Sequence, residues 1–310
     1  MKAEPEPPGL APYKSFGWQG ITLTVPSRWE LVYTRGDYAA GHVRLADERA
    51  VRLEVRWQAG PAQAPASDTV ESYLRGLRKK LKGSGFELSV QRNLKLASPP
   101  GKKVECYGWS ADRQALGMLS RCQECGRTVH MHLLGEPQER LRGLARTVFS
   151  SLRDHPEGEE LQWRFFDLDF RSPRRLPLRS SSLQAGCIRM QFGAGRTKLE
   201  LVRLSLAEVL LRRRGLEEWF RSFYGPSLKR RSYRIVPDSF RGHQALALSG
   251  RAWLVVNPLA VAGRRRVVRA ACWHCERTNR LFICGFDGPE AEQETFERAR
   301  DGLRCCDAAR

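Results

Sequence analysis

The 310-residue sequence predicts an α+β protein made of two tandem repeats, each an antiparallel sheet packed with two helices. Three observations lead to this fold class. Short segments of alternating apolar and polar residues surround segments with helical apolar spacing. The same order of segments begins again near the middle of the chain, and a Cys-x-x-Cys motif occurs at the same place in both halves. The chain also exceeds the usual size of a single core, about 100 to 150 residues.

The predicted boundaries follow changes in composition. Residues 1–16 are rich in Pro and Glu and are predicted to be a disordered tail. Repeat 1 is predicted over residues 17–153, an acidic linker over 154–162, and repeat 2 over 163–306. We expect the two repeats to be related by a pseudo-twofold axis.

In repeat 1, period-two alternation predicts half-buried strands over residues 21–25 and 51–57. A helix should start at a cap on Ser67 or Asp68 and run to about Lys82, because Val70, Leu74 and similar residues recur at helical spacing. A meander of strands and a second amphipathic helix should follow. Their segments lie near residues 86–96, 103–109, 115–121, 128–134 and 141–152.

Repeat 2 shows the same order. Matching positions are 145 to 147 residues apart through the first helix, which is predicted from Leu216 onward, and 150 apart at the cysteine motifs. One small insertion explains the change in spacing. The segment from Gly193 to Lys198 lacks the spacing of a phosphate-binding loop, so a glycine hairpin between two strands is predicted there.

The segments also resemble a known superfamily. The opening Leu23-Thr24-Val25-Pro26-Ser27-Arg28-Trp29, the order of helix and meander, and the closing Val148-Phe149-Ser150-Ser151-Leu152 are similar to the PsbP-like fold. That superfamily includes PsbP subunits of photosystem II, a Ran-binding nuclear import factor and the Eag chaperones of type VI secretion. The resemblance spans nearly all of both repeats and implies a non-enzymatic protein that binds other proteins. The duplication, the cysteine motifs and the positive charge depart from those members.

The cysteine motifs predict a metal site. Nine cysteines in a chain expected to be intracellular argue against a disulfide framework. Two Cys-x-x-Cys turns, each between apolar runs, can supply the four thiolates of a closed tetrahedral zinc site. We predict one structural four-cysteine site, shared by the repeats, whose ligands are Cys122, Cys125, Cys272 and Cys275. A redox pair, two independent sites or plain core thiols are the alternatives.

Other cysteines and histidines are weaker candidates. His274, or the pair His130 and His132, could supply ligands to two separate sites, but hydrogen-bonded strand histidines are favoured. Three further cysteines are predicted to be core thiols, namely Cys106, Cys187 and Cys284. Cys305 and Cys306 are predicted to be incidental, because neighbouring cysteines are poorly placed to chelate one metal together.

The charge predicts an acidic partner. The net charge is +19, and residues 161–310 hold 29 Lys and Arg against 15 Asp and Glu. Such a field attracts an acidic protein, a nucleic acid or an anionic membrane. Aromatic residues near the basic runs suit base stacking, unless their helical spacing turns them toward the core. The expected contact residues are Arg212, Arg213, Arg214, Lys229, Arg230, Arg231, Arg264, Arg265, Arg266 and Arg269, of which 264–266 are preferred.

These observations favour a non-enzymatic, cytoplasmic, zinc-stabilised adaptor or assembly subunit that holds an acidic partner through repeat 2. The sequence has no apolar run long enough to span a bilayer and no apolar secretory segment at its N-terminus. It also lacks the Gly-x-Ser-x-Gly and His-Glu-x-x-His motifs. An RNA- or DNA-binding subunit is the first alternative. A chaperone for hydrophobic segments, which requires an apolar groove between the repeats, is the second.

Overall fold

The computed structural model describes residues 12–60, 65–156, 158–228, 231–252 and 266–306. The chain divides into two compact units. Unit 1 comprises residues 1–157 and 162–166, and unit 2 comprises residues 158–161 and 167–310. The predicted linker ends at residue 162, and repeat 2 is predicted to begin at residue 163. Residues 162–166 nevertheless belong to unit 1. Within the described ranges, every helix is too short or too polar to span a membrane.

Unit 1 opens with a hairpin of β1 (Tyr13–Trp18) and β2 (Ile21–Pro26). Part of the predicted disordered tail is therefore ordered, because β1 pairs along its whole length with β2 and buries Phe16 and Trp18. The indole of Trp18 meets that of Trp163 edge to face, with ring centroids 5.1 Å apart. This contact fixes residues 162–166 to unit 1.

The main sheet of unit 1 has seven antiparallel strands in the order β3-β4-β5-β9-β8-β7-β6. Helix α1 packs on it through Val70 and Leu74, which contact Tyr107 and Leu119, and helix α2 contacts β2, β8 and β9. The elements are β3 (Glu30–Gly36), β4 (Ala40–Ala46), β5 (Val51–Gln58), α1 (Ala66–Leu81), β6 (Ser89–Gln91), β7 (Lys102–Ser110), β8 (Gln114–Cys122), β9 (Thr128–Gly135) and α2 (Leu141–Ser150).

Unit 2 has a seven-stranded antiparallel sheet in the order β12-β13-β14-β18-β17-β16-β15. Helix α4 packs on it through Trp219 and Phe220, and α5 contacts β11, β17 and β18. The elements from residue 160 onward are β10 (Glu160–Phe165), β11 (Leu168–Pro173), β12 (Leu178–Gln184), β13 (Cys187–Ala194), β14 (Thr197–Ser205), α3 (Ala207–Leu211), α4 (Leu216–Tyr224), β15 (Arg231–Phe240), β16 (His243–Ala252), β17 (Arg266–Cys275), β18 (Arg280–Pro289) and α5 (Glu294–Gly302).

The two sheets share one strand order. Numbered along the chain within each seven-stranded sheet, the strands of both sheets run 1-2-3-7-6-5-4. In each unit a helical segment follows the third strand and a helix follows the seventh. The prediction of antiparallel sheets with a few helices is therefore confirmed. The predicted glycine hairpin is also present, since β13 ends at Ala194, β14 begins at Thr197, and Gly195 has a φ of +54°.

Candidate metal centres

The first cluster of possible metal ligands lies in unit 1, at the end of β8. Cys122 is the last residue of that strand, and Cys125 follows in the turn before β9. The Nδ1 atom of His155 is 3.6 Å from each of the two sulfurs. Asp154 completes the group, and the four donor atoms all lie within 4.8 Å of one another. A tetrahedral zinc ion places a sulfur and a nitrogen ligand about 3.5 Å apart, so the observed separations fit zinc.

Backbone hydrogen bonds hold the turn that presents the two sulfurs. The Cys122 N–H donates to the Arg127 carbonyl at 2.9 Å, and the Gly126 N–H donates to the Cys122 carbonyl at 3.2 Å. Gly126 has a φ of +70°, a left-handed conformation that glycine adopts without strain. The Gln123 N–H donates to the Gly101 carbonyl at 2.9 Å. The turn is thus fixed on both sides.

Asp154 and His155 reach this turn because the chain after α2 pairs with β2. Arg153 and Thr22 exchange backbone hydrogen bonds of 2.9 and 3.0 Å. The buried carboxylate of Asp154 follows, with the Nζ of Lys102 2.5 Å from its Oδ1 atom. Its Oδ2 atom is buried and has no hydrogen-bond partner within the described ranges. A metal ion would satisfy this acceptor.

The ring of His155 is oriented by two carboxylates. Its Nδ1 atom faces the sulfurs and lies 2.8 Å from Asp154, while its Nε2 atom lies 3.1 Å from an Oε2 atom of Glu124. Histidine ligands usually donate their second ring N–H to a carboxylate, which fixes the tautomer. Glu124 has that position here. Burial raises the pKa of the Cys125 thiol, so zinc binding would release its proton.

The second cluster lies in unit 2, at the end of β17. It consists of His243, Cys275, Cys305 and Cys306, whose donor atoms also lie within 4.8 Å of one another. The Cys306 sulfur is 3.5 Å from the Nε2 atom of His243 and 3.9 Å from the Cys305 sulfur. Tetrahedral zinc separates two thiolate sulfurs by about 3.8 Å. Burial lowers the pKa of His243, which favours the neutral imidazole that metals bind.

The two clusters occupy equivalent places in the two units. Cys122 and Cys275 are each the last residue of the sixth strand of a seven-stranded sheet. Asp154–His155 and Cys305–Cys306 each follow an arginine that forms a β-bridge to an early strand of the same unit, at Thr22 of β2 and Asp169 of β11 respectively. The sequence carries a signal for this equivalence that we missed. Both units have Leu-Arg followed by two residues with metal-ligand side chains, at 152–155 and 303–306.

Cys272, one of the four predicted ligands, belongs to neither cluster among the described residues. This residue is fully buried and packs in the unit 2 core with Leu246 and Ile283. It lies within the β17–β18 ladder, opposite Ile283, because β17 continues to Cys275 before the chain turns. In unit 1 the strand already ends at Cys122. Burial raises the pKa of the Cys272 thiol, which disfavours the thiolate form that binds a metal.

The other predicted cysteines and histidines are placed as follows. Cys106 and Cys284 are buried, as expected for core thiols, and Cys187 packs beside the unit 2 core. His274 belongs to neither cluster. His130 and His132 both hydrogen-bond the hydroxyl of Tyr107, at 2.6 and 2.7 Å. Cys305 and Cys306, which we predicted to be incidental, are both members of a cluster.

The predicted basic contact residues are only partly described. Arg212, Arg213 and Arg214 are exposed directly after α3. Arg266 donates to Asp287 at 2.5 Å and to the Arg196 carbonyl at 2.9 Å, while Arg269 is half-buried on β17. Arg231 begins β15. The remaining predicted positions, Lys229, Arg230, Arg264 and Arg265, lie outside the described residues.

Comparisons with known proteins give only distant structural similarity. No protein-family model matches the chain, and no curated protein sequence matches it. The structure is similar to PsbP (CyanoP) from Synechocystis sp. PCC 6803, with 15% identity and a TM-score of 0.35 over 49% of this chain and 98% of that one. It is also similar to the immunity protein TplEi of the type VI secretion system from Pseudomonas aeruginosa, solved with a peptide, with 10% identity and a TM-score of 0.35 over 95% and 98%.

Proposed function

We propose that this protein is a non-enzymatic adaptor in which each unit binds one structural zinc ion through its own cluster. The observation that supports this proposal most is the equivalent placement of the two clusters, each with donor atoms within 4.8 Å and each containing the last residue of the sixth strand and the two residues after the bridging arginine. Thiolate and imidazole donors select zinc over hard cations. The unit 1 ligands are Cys122, Cys125, Asp154 and His155, and the unit 2 ligands are His243, Cys275, Cys305 and Cys306.

We also infer a tandem duplication. The shared strand order and the shared cluster positions support it independently. In this pairing Cys275, and not Cys272, is the counterpart of Cys122, and Cys305–Cys306 are the counterparts of Asp154–His155. The pseudo-twofold arrangement of the repeats stays a prediction.

The proposed centres support a structural role for zinc rather than a catalytic one. Four protein donors leave no open position for water or substrate on a tetrahedral ion. In each unit the donors join the end of the sixth strand to the segment after the last helix. A bound ion would therefore link these segments, and binding free energy would add to the stability of the fold.

The partner that we propose is an acidic protein. Arg212, Arg213 and Arg214 form an exposed basic run on unit 2. The aromatic residues that could have stacked on bases are largely occupied in the core, since Trp219 is 3% exposed and Phe220 is fully buried. Their burial removes two aromatic platforms on which bases could have stacked. Binding of an acidic protein surface, by contrast, needs only the positive charge of this basic run. The chaperone alternative stays a prediction.

Cobalt binding tests the two centres. The full-length protein, stripped of metal, should bind two Co²⁺ ions with the visible spectrum of thiolate-ligated tetrahedral cobalt. Cys125→Ser should lose one equivalent and Cys306→Ser the other, whereas Cys272→Ala should keep both. Loss of a site in Cys272→Ala, with Cys275→Ala unaffected, would overturn the assignment.

Binding of poly-glutamate and of an oligonucleotide tests whether the partner is an acidic protein or a nucleic acid. Labelled poly-glutamate should bind at physiological salt, and reversing the charge of Arg212, Arg213 and Arg214 should weaken binding about tenfold or more. Reversal of Lys79, Lys80 and Lys82 in unit 1 is the matched control. An oligonucleotide that binds more tightly than poly-glutamate at the same salt would instead establish the nucleic-acid alternative.

A further inference from the structure

A cleft of about 580 Å³ opens in unit 2 beside helix α4. Its floor is the face of β13 and β14 that carries Gln191 and Glu200, and one wall is formed by Phe223 and Tyr224 of α4. The volume lies within the range of about 300 to 1,000 Å³ that ligand sites occupy. The cleft shares no residue with the zinc cluster of unit 2.

The aromatic wall is held in place from behind. The ring of Phe223 stacks on Trp219 with centroids 4.9 Å apart and an interplanar angle of 15°. Tyr224 lies directly against Gly285, where an added Cβ atom would be only 2.1 Å from its hydroxyl. The wall is therefore fixed in position, and the guanidinium of Arg189 lies over the Phe223 ring, 5.5 Å from its centroid.

The acids of the cleft are paired with Arg189 and Arg266, whereas two other cations that line it, Arg179 and Lys198, form no ion pair among the described residues. Glu200 accepts a hydrogen bond from Gln191 at 3.1 Å and lies 3.6 Å from the Nε atom of Arg189. Asp287 is bound by Arg266, which lies on the neighbouring strand.

Arg179 and Lys198 are exposed, and neither forms an ion pair within the described part of the chain. Arg179 is nevertheless oriented, because its Nε atom donates to the Gly193 carbonyl at 2.8 Å and leaves the outer guanidinium nitrogens available. Two cations without ion pairs beside a fixed aromatic wall favour a ligand that carries both carboxylates and an apolar group. Carboxylates would meet Arg179 and Lys198 while an apolar group packs on Phe223.

We propose that this cleft binds an acidic peptide segment that carries an aromatic side chain between carboxylates. The proposal rests on the proposed function, because it supplies the site at which the acidic partner is recognised. A purely acidic segment would satisfy the cations and leave the apolar wall in water. The aromatic group is what would distinguish this site from general attraction to a basic protein.

The test uses fluorescence anisotropy with full-length protein and two labelled peptides of equal charge. One contains three Glu-Phe-Glu repeats and the other three Glu-Ser-Glu repeats. The first should bind with one-to-one stoichiometry and about tenfold more tightly than the second. The double variant Arg179→Glu, Lys198→Glu should lose this binding by about tenfold or more. Lys79→Glu, Lys80→Glu in unit 1 makes the same change in net charge and should retain it.

Three results would overturn the cleft assignment: equal affinity for the two peptides, an equal loss in both double variants, or binding unchanged in Arg179→Glu, Lys198→Glu. In each case poly-glutamate binding by the wild type would leave the proposed function standing. Conversely, a wild type that binds neither poly-glutamate nor the peptides would refute the acidic partner itself. Both exposed side chains can be replaced without opening the core, so folding is checked by an unchanged melting temperature.

Discussion

Arg127 shows how one residue anchors the first metal turn. Its guanidinium, 2% exposed, donates to the carbonyls of Gln19, Tyr38 and Asp154. It also lies over the Tyr38 ring, 4.6 Å from the centroid. Arginine can bind three carbonyls at once because its guanidinium is planar and holds several N–H donors in fixed directions. The single ammonium group of lysine cannot reproduce these contacts. The residue directly after the cysteine turn thus ties that turn to three separate segments of unit 1.

We therefore predict that Arg127→Lys lowers the free energy of unfolding by about 2 to 4 kcal/mol, because buried carbonyls lose their donors. Urea unfolding measures this, and metal content should show weaker retention of zinc in unit 1. Arg146→Lys, on the exposed face of α2, serves as the control and should change stability by less than about 0.5 kcal/mol. A similarly small effect of Arg127→Lys would contradict the anchoring role.

His130 and His132 illustrate a buried polar network outside the two clusters. Both Nε2 atoms bond the Tyr107 hydroxyl, which can donate to one ring and accept from the other. The ring that accepts from the hydroxyl must be a neutral imidazole. Burial, reinforced by the nearby Arg56, lowers the pKa of His130 to about 4, and burial also holds the pKa of His132 well below its ordinary value.

Acid should therefore destabilise unit 1. The folded pKa of His130 lies below the unfolded value of 6.5, so its contribution is complete above about pH 6.5 and is lost as the pH falls toward 4. Between pH 7.5 and pH 5 the loss is roughly 2 kcal/mol. Urea unfolding at the two pH values measures it. His130→Gln keeps a hydrogen-bonding group but does not titrate, so its pH dependence should be weaker; an identical dependence would contradict this assignment.

At the scale of elements, the sequence predicts most of the fold and only part of the site. Periodicity located α1, α2, α4 and α5 because each buries one apolar face. It did not indicate that β17 extends to Cys275, because a Cys-x-x-Cys spacing fits either a turn or the end of a strand. Asp154 and His155 lie in a stretch with linker composition, and only the pairing of Arg153 with Thr22 brings them to the cysteines.

The packing of strands β7 and β8 depends on a glycine. Tyr107 and Gly117 are opposite each other, and a Cβ atom at Gly117 would lie 2.4 Å from the tyrosine ring. The ring cannot move aside, because it is fully buried and its hydroxyl is bonded to the two histidines. Close approach of the ring to the strand is therefore possible only without a side chain at position 117.

Gly117→Ala should consequently destabilise the protein by about 1 to 3 kcal/mol through overpacking. Gly76→Ala, in α1 of the same unit, provides a matched comparison with the opposite sign. Among the described residues, no atom outside the neighbouring residues and the backbone of its own helix lies within 4 Å of the Cβ position at Gly76, and alanine favours the helix by about 0.5 to 1 kcal/mol. Thermal unfolding of both variants is the measurement. A Gly117→Ala protein as stable as the wild type would show that the ring is free to move.

In the whole molecule, the features proposed to stabilise the fold and the surface proposed to bind the partner lie in different places. The proposed zinc ions close each unit at its own cluster, while the proposed partner surface lies on unit 2. The net charge of +19 indicated a basic protein, but composition could not show which cations are already paired. Arg266, one of the preferred contact residues, is bound to Asp287. Arg179 and Lys198, which the sequence did not single out, are exposed beside an apolar wall.

We propose that each unit holds its own metal ion. Native mass spectrometry of the full-length protein, purified without chelator and in the presence of zinc, counts the ions per chain directly. We predict two, falling to one in Cys125→Ser and in Cys306→Ser and staying at two in Cys272→Ala. A single ion per chain that is lost equally from Cys122→Ser and Cys272→Ala would show a shared four-cysteine site and contradict the account.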